Sequence, residues 1–403
     1  MKKLYTILLL ATSLFTTSCS DWLDVAPSNQ VNGDKLFEVG DGYRNALNGI
    51  YLNLGTSSMY GRTMSWGFMD AIAQYYQTDN NFIPKNSAYY KSAKFQFDDS
   101  DVKTFISNIW SIGYNNIANC NNLILNVSEA SSSIFKEGEF EKNMIWGEAL
   151  ALRAFIHFDL LRLFAPAISK DDGKSYIPYV EVYPTIVPPY ESSKEILSKI
   201  IRDLKAAKEM LAKCDITDEH KIWMSTGYRM LASSILSSDI ASSDVFFAYR
   251  GYRMNYYAVT AELARVYLYA GKNAEAYAEA KKIIDEESET GYFKASTSSS
   301  GFRNGNMKMY NDIIFGLYSP KELVEWDQEI NHGSDGSSEE HYLCLDSEVA
   351  KELYGDEKDS DWRFKYQLEE MYYGYYYRTL KYYKQTESTT VGITNNQTIP
   401  MIR

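Results

Sequence analysis

Aromatic side chains interleaved with short polar side chains are the main chemical signal in this sequence. The chain holds 34 tyrosines, 18 phenylalanines and 7 tryptophans, which is more than core packing alone requires. Tyrosine and tryptophan offer an apolar face with a polar edge, so they suit a ligand that is apolar on one face and hydroxylated around its rim, such as a sugar ring. Flanking carboxylate and amide groups would supply in-plane hydrogen bonds. The candidate ligand-binding residues are Trp66, Asp70, Tyr75, Tyr76, Asn80, Tyr89, Tyr90, Phe302 and Trp326.

For each of these rings, the alternative interpretation is packing between loops and helices. The prediction therefore concerns two regions more than any single residue: the aromatic stretch 55–101 and the segment from 291 to the end. Neither region reads as helical. The tyrosine-rich run 371–383 predicts a β-hairpin that turns near Gly374, with its rings facing neighbouring strands.

Motifs for other chemistries are missing from the sequence. It contains no P-loop, dinucleotide-binding fingerprint, HExxH motif or nucleophile elbow. The four histidines show no metal-ligand spacing, and the cysteines show no CxxC spacing. Acidic clusters at 98–101 and 356–361 lack the glycine and final glutamate of a calcium loop, so we interpret them as solvated turns and helix caps. We expect no cofactor and no metal, and no catalytic residue is assigned. A carboxylate pair for glycoside hydrolysis stays open, because such pairs meet only in space.

The first 18 residues have the pattern of a secretory signal peptide. Lys2 and Lys3 precede an apolar run at 7–10 that is too short to span a bilayer, and small residues follow. The segment 15–19 looks like a lipobox, although Phe15 stands where leucine is more usual. We therefore predict that Cys19 becomes the acylated first residue of the mature protein and holds it on a membrane surface. The alternative is a cysteine beside an ordinary cleavage site.

The composition favours an acidic globular protein. The formal net charge is −12, and it becomes −14 without residues 1–18, which contain two lysines and no acid. Nucleic-acid binding depends on neutralisation of phosphates by Lys and Arg, so we expect no nucleic-acid partner. With 45% hydrophobic and 23% charged residues, a chain of 403 residues can bury a large core in one or two domains.

The elements that must position these residues are helical, and the stretch 147–165 organises them. Apolar residues fall on nearly every side of it, which predicts a buried helix. An unpaired charge in a core is costly, so we predict that its polar side chains are paired core or surface groups rather than catalytic ones. Two of them, Asp159 and Arg162, are three apart on one face. The polar residues are Glu148, Arg153, His157, Asp159 and Arg162.

Helical periodicity also appears at 41–54 and at 105–127, and a capping box at 192–195 predicts the start of another helix. The stretch 256–284 predicts two helices joined at Gly271, with small residues spaced as in a tetratricopeptide hairpin. Between these elements, the segment 166–189 holds five of the nine prolines. It therefore predicts a long surface crossover without regular structure.

The stretch 147–165 resembles the SusD/RagB family of outer-membrane nutrient-binding lipoproteins, in which an E-A-x-x-x-R-A-x-x-x-F-D-L-x-R-L-F helix recurs. A Leu-Asp-x-x-Pro element after the lipobox, here Leu23, Asp24 and Pro27, agrees with the resemblance. The helix motif reads Glu148, Ala149, Arg153, Ala154, Phe158, Asp159, Leu160, Arg162, Leu163 and Phe164.

The resemblance implies a mostly α, SusD-like fold: a tetratricopeptide-like scaffold of helical hairpins with a loop-rich second region that carries short strands. We expect a signal peptide at 1–18 and one SusD-like domain at 19–403. Within it, the scaffold would run from about 36 to 290, with loop insertions at 55–104 and 166–191, and the loop-rich region from 291 to 403. Family members continue past an Ile-Pro-x-x-Arg element, here Ile399, Pro400 and Arg403, into further helices that this sequence lacks.

The resemblance also implies a function. We expect a non-enzymatic lipoprotein at the outer membrane, facing the cell exterior, that binds oligosaccharides and delivers them to a SusC-like TonB-dependent transporter. The alternatives are a peptide-binding protein like RagB, a surface glycoside hydrolase, and a structural or adhesive lipoprotein. The family's ligand-contacting aromatics form no sequence motif, so none is transferred to this chain.

Overall fold

A computed structural model of the chain describes residues 33–78, 83–184, 188–230, 244–290, 295–303, 306–319, 343–371, 374–382 and 398–402. The predicted mostly helical fold is confirmed. Within these ranges, none of the helices combines the length and apolar character needed to cross a membrane. The helices are α1 (Gly33–Leu36), α2 (Gly40–Leu54), α3 (Phe68–Ile72), α4 (Ala88–Ala93), α5 (Ser100–Glu129), α6 (Gly138–Phe164), α7 (Ser193–Asp215), α8 (Thr226–Arg229), α9 (Tyr256–Tyr269), α10 (Asn273–Thr290), α11 (Ser300–Arg303), α12 (Ser347–Tyr354) and α13 (Trp362–Gln367).

Helix α6 is the buried helix that the sequence predicts, and it begins at Gly138 rather than Gly147. It packs between α5 and α7, with α9 beyond α7. Its polar side chains are paired as expected. Arg153 donates from Nη2 to the Asp203 carboxylate on α7 at 2.6 Å. His157 accepts a hydrogen bond at Nε2 from the backbone N–H of Val180 at 3.0 Å.

Local signals set the ends of the other helices. The side chain of Ser192 and that of Glu195 form the predicted capping box at the start of α7. Gly271 has a φ of 73° in the turn between α9 and α10, a conformation that glycine adopts without steric cost. Asp99 caps α5 by accepting from the N–H of Asp101 at 2.9 Å, which confirms the interpretation of that acidic cluster as a cap.

Two predicted loop insertions contain regular structure. The region 55–104 holds α3 and α4, and α5 already begins at Ser100. The prolines of 166–189 predict a surface crossover without regular structure, and this prediction is wrong, because the segment contains strand β1 (Ser175–Pro178). Strand β1 pairs with β2 (Tyr190–Ser192) in an antiparallel hairpin, and Ile177 and Tyr179 are buried. Pro178 ends β1, which is an edge strand of a two-stranded sheet, and an edge strand tolerates the missing N–H.

Short strands bring the second region onto the helices. Strand β3 (Phe315–Tyr318) pairs with β7 (Thr398–Ile402). In a separate sheet, β6 (Tyr376–Thr379) lies between β4 (Cys344–Asp346) and β5 (Leu368–Met371). β5 and β6 form the predicted hairpin, and Gly374 has a φ of 87° at its turn. The strands are β1 (Ser175–Pro178), β2 (Tyr190–Ser192), β3 (Phe315–Tyr318), β4 (Cys344–Asp346), β5 (Leu368–Met371), β6 (Tyr376–Thr379) and β7 (Thr398–Ile402).

Candidate functional site

A cleft with a volume of about 430 Å³ lies between the helical scaffold and the strand-bearing region. Small-molecule sites typically have volumes of roughly 300–1,000 Å³. Its walls come from α3, the end of α6, α9, the residues after β6, and β7. The charged side chains that line the cleft are Asp70, Asp159, Arg162, Arg265 and Lys381, and the aromatic ones are Tyr60, Phe155, Tyr269 and Tyr382.

The last turns of α6 supply an ion pair to the cleft. Asp159 accepts one hydrogen bond from the hydroxyl of Tyr60 at 2.8 Å and another from Nη1 of Arg162 at 3.1 Å. The Asp159 side chain is 10% exposed and that of Arg162 is 42% exposed. Helix α6 is buried as far as Leu161. The Asp159–Arg162 pair therefore lies at the boundary between the buried part of α6 and its exposed end.

Helix α9 supplies a second pair with the same i, i+3 spacing. Nη1 of Arg265 donates to Oε2 of Glu262 at 2.6 Å. The Glu262 side chain is fully buried, and its Oε1 has no hydrogen-bond partner among the described residues. Burial raises the pKa of Glu262 to about 7 against the attraction of Arg265, and the charge of Asp159 adds to the increase.

The buried ring of Phe158 fixes both guanidinium groups. The guanidinium carbon of Arg162 lies 5.5 Å from the ring centroid and that of Arg265 lies 5.8 Å from it. Cations at such distances are attracted to the ring face. The ring of Tyr269 meets the same phenylalanine edge-on, with centroids 5.4 Å apart. A single core side chain thus positions two cations and one aromatic ring at the cleft.

Asp70 on α3 forms another wall of the cleft. Burial raises the pKa of Asp70 to about 6, while the positive charge of Lys381 and the polar hydroxyl group of Tyr76 act in the opposite direction. Carboxyl groups with a shifted pKa in a cleft are typical of functional sites. In the described part of the chain, no group of three or more His, Cys, Asp or Glu side chains is arranged to hold a metal ion.

Of the candidates named from the sequence, the structure brings Asp70 into the cleft and buries Trp66 and Tyr76 beneath it. Nε1 of Trp66 donates to the carbonyl oxygen of Gly61 at 3.0 Å, and the Tyr76 hydroxyl donates to the carbonyl oxygen of Trp66. The two residues are 1% and 4% exposed. Neither ring offers a face to a ligand, so both support the segment that carries Asp70.

Two further candidates stack on neighbouring rings. Phe302 is buried and lies parallel to Tyr366, with centroids 5.7 Å apart. Tyr89 on α4 is half-buried and stacks on Phe105 of α5, with centroids 5.8 Å apart. The alternative interpretation, packing between loops and helices, therefore describes these two rings.

The remaining candidates have different positions. Tyr75 is half-buried, meets Tyr76 edge-on and packs in the small apolar cluster of β4 and β5. Tyr90 is half-buried, with Nζ of Lys94 5.7 Å from its ring centroid. Neither lines the cleft. Asn80 and Trp326 lie outside the described residues.

Most of the residues that line the cleft are not among the ligand-binding candidates named from the sequence. Asp159 and Arg162 were predicted as a structural pair, which they form, but they also reach the cleft. Their position near Pro166 indicates that they reach the surface, because a buried helix must end before a proline. The repeated spacing of Glu262 and Arg265 on a helix rich in alanine was a second signal. Lys381 carried no signal, because its segment approaches the helices only in the folded chain.

Helical hairpins that carry a cleft at their junction with a strand-bearing region place the protein in the class of helical scaffold proteins. The family model described as starch-binding and associating with the outer membrane, a SusD-like model, matches residues 21–222. The match spans half of the chain and includes α6. The chain therefore belongs to the SusD-like family.

Solved structures share the fold. A Bacteroides vulgatus protein for which sugar binding has been proposed is 24% identical, with a TM-score of 0.62 over 91% of this chain and 71% of that protein. A SusD superfamily protein of Bacteroides thetaiotaomicron is 20% identical, with a TM-score of 0.61 over 91% and 73% of the two chains. A second SusD superfamily protein of Bacteroides vulgatus is 18% identical, with a TM-score of 0.61 over 87% and 69%. The search of curated proteins found no match.

Proposed function

We propose that this protein binds carbohydrate in the cleft at the outer-membrane surface. The observation that carries the proposal is the combination, in one cleft of about 430 Å³, of charged side chains with aromatic rings. The description of the family as starch-binding and the proposed sugar binding of a structural relative support it.

The chemistry of the cleft suits a hydroxylated ligand. Hydrogen bonds from hydroxyl groups to charged partners are stronger than those between neutral groups. Asp70 can accept such bonds, while Arg162 and Arg265 can donate them. The half-exposed ring of Tyr269 presents an apolar surface beside these charges. Contacts with Phe158 restrict both arginines and Tyr269, which reduces the freedom that these side chains lose when a ligand binds.

The remaining elements of the proposal come from the family resemblance. Residues 19–403 form one SusD-like domain, and a lipid on Cys19 anchors it with the cleft accessible from the cell exterior. The bound oligosaccharide then passes to a SusC-like TonB-dependent transporter in the same membrane. The protein itself does not change the sugar.

A surface hydrolase is the second candidate, and one observation favours it. Asp70 and Asp159 both line the cleft, and burial raises the pKa of Asp70 to about 6, as in a general acid. Against hydrolysis, both oxygens of Asp159 are already hydrogen-bonded, to Tyr60 and Arg162. A carboxylate held in this way is poorly placed to attack a sugar or to activate water.

One experiment separates these functions. Isothermal titration of the protein from Ser20 onward against plant and host oligosaccharides, with peptides as a further set, is combined with product analysis of the same samples. We expect binding in the micromolar to millimolar range, weakened by Tyr269→Ala, with the sugars unchanged. Shortened sugars would establish a hydrolase, and binding of peptides alone would establish a RagB-like role.

A further inference from the structure

The two arginines of the cleft face the solvent, whereas their carboxylate partners are turned toward the protein. The side chains of Arg162 and Arg265 are 42% and 39% exposed. Their partners Asp159 and Glu262 are 10% and 0% exposed. A ligand that enters the cleft therefore meets guanidinium groups before it meets these carboxylates.

Both arginines retain donors for a ligand. Each uses Nη1 for its carboxylate, and among the described residues no hydrogen bond engages Nε or Nη2 of either side chain. A guanidinium presents five N–H groups in a fixed fork, which matches the two oxygens of a carboxylate. Lys381 adds a third cation to the same cleft.

The position of these cations contrasts with the rest of the molecule. The chain has a formal charge of −12, so its average surface repels anions. Of the charged side chains that line the cleft, three are cations and two, Asp70 and Asp159, are anions, so the lining carries a small positive excess on an acidic chain. Binding of a neutral sugar requires hydrogen-bond donors and acceptors, but it does not require more positive than negative side chains in the cleft. An excess of cations at a binding cleft is typical of sites for anionic ligands.

We infer that the oligosaccharides taken by the cleft are acidic: they carry a carboxylate, as uronic acids do, which Arg162 and Arg265 bind. The ring of Tyr269 packs beside the sugar that carries the carboxylate. This inference rests on the proposed carbohydrate binding and names the class of sugar for the same cleft.

The test compares ligands that differ only in charge. Oligogalacturonides, their methyl esters and neutral malto-oligosaccharides of equal length are titrated into the protein at low salt and at 0.5 M NaCl. We expect the acid to bind about tenfold or more tightly than its ester, because hydrogen bonds between charged groups are stronger. High salt removes most of this difference. This comparison needs no variant, so it does not depend on how a variant folds.

Variants then locate the site. Arg162→Gln and Arg265→Gln are each expected to bring the affinity for the acid close to that for the ester. Arg363→Gln is the matched control, because Arg363 also pairs with a nearby aspartate, Asp361, but lies on α13 away from the cleft. The affinity of the Arg363→Gln variant for the acid should stay within about twofold of that of the native protein. Thermal melting of each variant verifies that it is folded.

The outcomes separate the inference from the proposed function. Equal binding of acid and ester, or undiminished binding of the acid by both cleft variants, would overturn the inference and leave carbohydrate binding in place. Failure of all three sugar classes to bind would overturn both.

Discussion

Arg250 donates two hydrogen bonds to the carboxylate of Asp215, from Nε at 2.9 Å and from Nη2 at 3.0 Å, and neither side chain is exposed to solvent. Its Nη1 donates to Glu148 of α6, which is equally buried. The guanidinium thus joins α6 to the end of α7. This network explains why a buried helix can carry a glutamate at its centre.

Replacement of this arginine is expected to destabilise the protein strongly. Arg250→Met leaves the two buried carboxylates without the guanidinium, which typically lowers the free energy of unfolding by roughly 3–5 kcal/mol. Urea denaturation followed by circular dichroism measures the loss. Arg363→Met is the control, because it breaks an exposed pair whose contribution is about 0–1 kcal/mol. Equal losses for the two variants would contradict the assignment.

Close packing of α6 against α7 predicts an unusual response to alanine. A Cβ at Gly147 would lie 2.9 Å from Cγ of Leu211 and 3.2 Å from the carbonyl oxygen of Ala207. Gly147→Ala is therefore expected to destabilise the protein by roughly 1–3 kcal/mol, although alanine favours helices. Gly49→Ala on α2 meets nothing within 4 Å and should stabilise by about 0.5–1 kcal/mol. Melting temperatures that shift in the same direction would refute this contrast.

The imidazole of His157 should stay neutral in the folded protein. Its Nε2 accepts from Val180 and its Nδ1 lies 2.9 Å from the carbonyl oxygen of Arg153, so the proton resides on Nδ1. Burial lowers the pKa of His157 to about 3. Nitrogen NMR should show this tautomer from pH 8 to pH 5, whereas the denatured chain titrates near pH 6.5. The stability that it contributes is present above pH 6.5 and is lost as the pH falls toward 3.

The buried carboxyl group of Glu262 has the opposite effect. Its pKa is about 7 in the folded protein against a usual value of 4.5, so the folded state binds more protons between these values. Its contribution is fully present below pH 4.5 and is lost as the pH rises through 7, by roughly 3 kcal/mol at most. Glu262→Gln should flatten the fall in stability between pH 5 and pH 8. An unchanged slope would show that another group titrates.

Acidic pH should strengthen the binding of an acidic oligosaccharide. Protonation of Asp70, which faces Lys381 and Tyr76, removes one negative charge from the cleft below about pH 6. Glu262 is buried behind the cleft, where it faces Tyr60, Asp159 and the two cleft arginines, and its protonation removes a negative charge beside Arg265 below about pH 7. The affinity for oligogalacturonides should therefore rise between pH 8 and pH 5, and Asp70→Asn should reduce the rise. Titration calorimetry at each pH, with the methyl ester as control, measures it; a rise of the same size for the ester would exclude the charge effect.

Local patterns in the sequence were sufficient to predict most of the helical scaffold. The apolar surround of α6, the capping box at Ser192 and the glycine turn at Gly271 each involve residues within one or two helical turns, so spacing alone reveals them. The prediction for the crossover 166–189 is wrong because its prolines indicate irregular structure, whereas Pro178 lies in an edge strand. Burial of that strand depends on α6, which sequence spacing does not show.

For the candidate site, the sequence showed which types of side chain are abundant, and the tertiary structure decided which of them reach the cleft. An abundance of aromatic rings was visible at once, but Trp66, Tyr76 and Phe302 stabilise the fold from inside, because large rings contribute most when they are buried. The sequence predicted that Asp159 and Arg162 would be paired, and they are. Only the tertiary structure decided that this pair would meet Asp70, Arg265 and Lys381 at one cleft, because these residues come from segments far apart in the chain and converge only when the core forms.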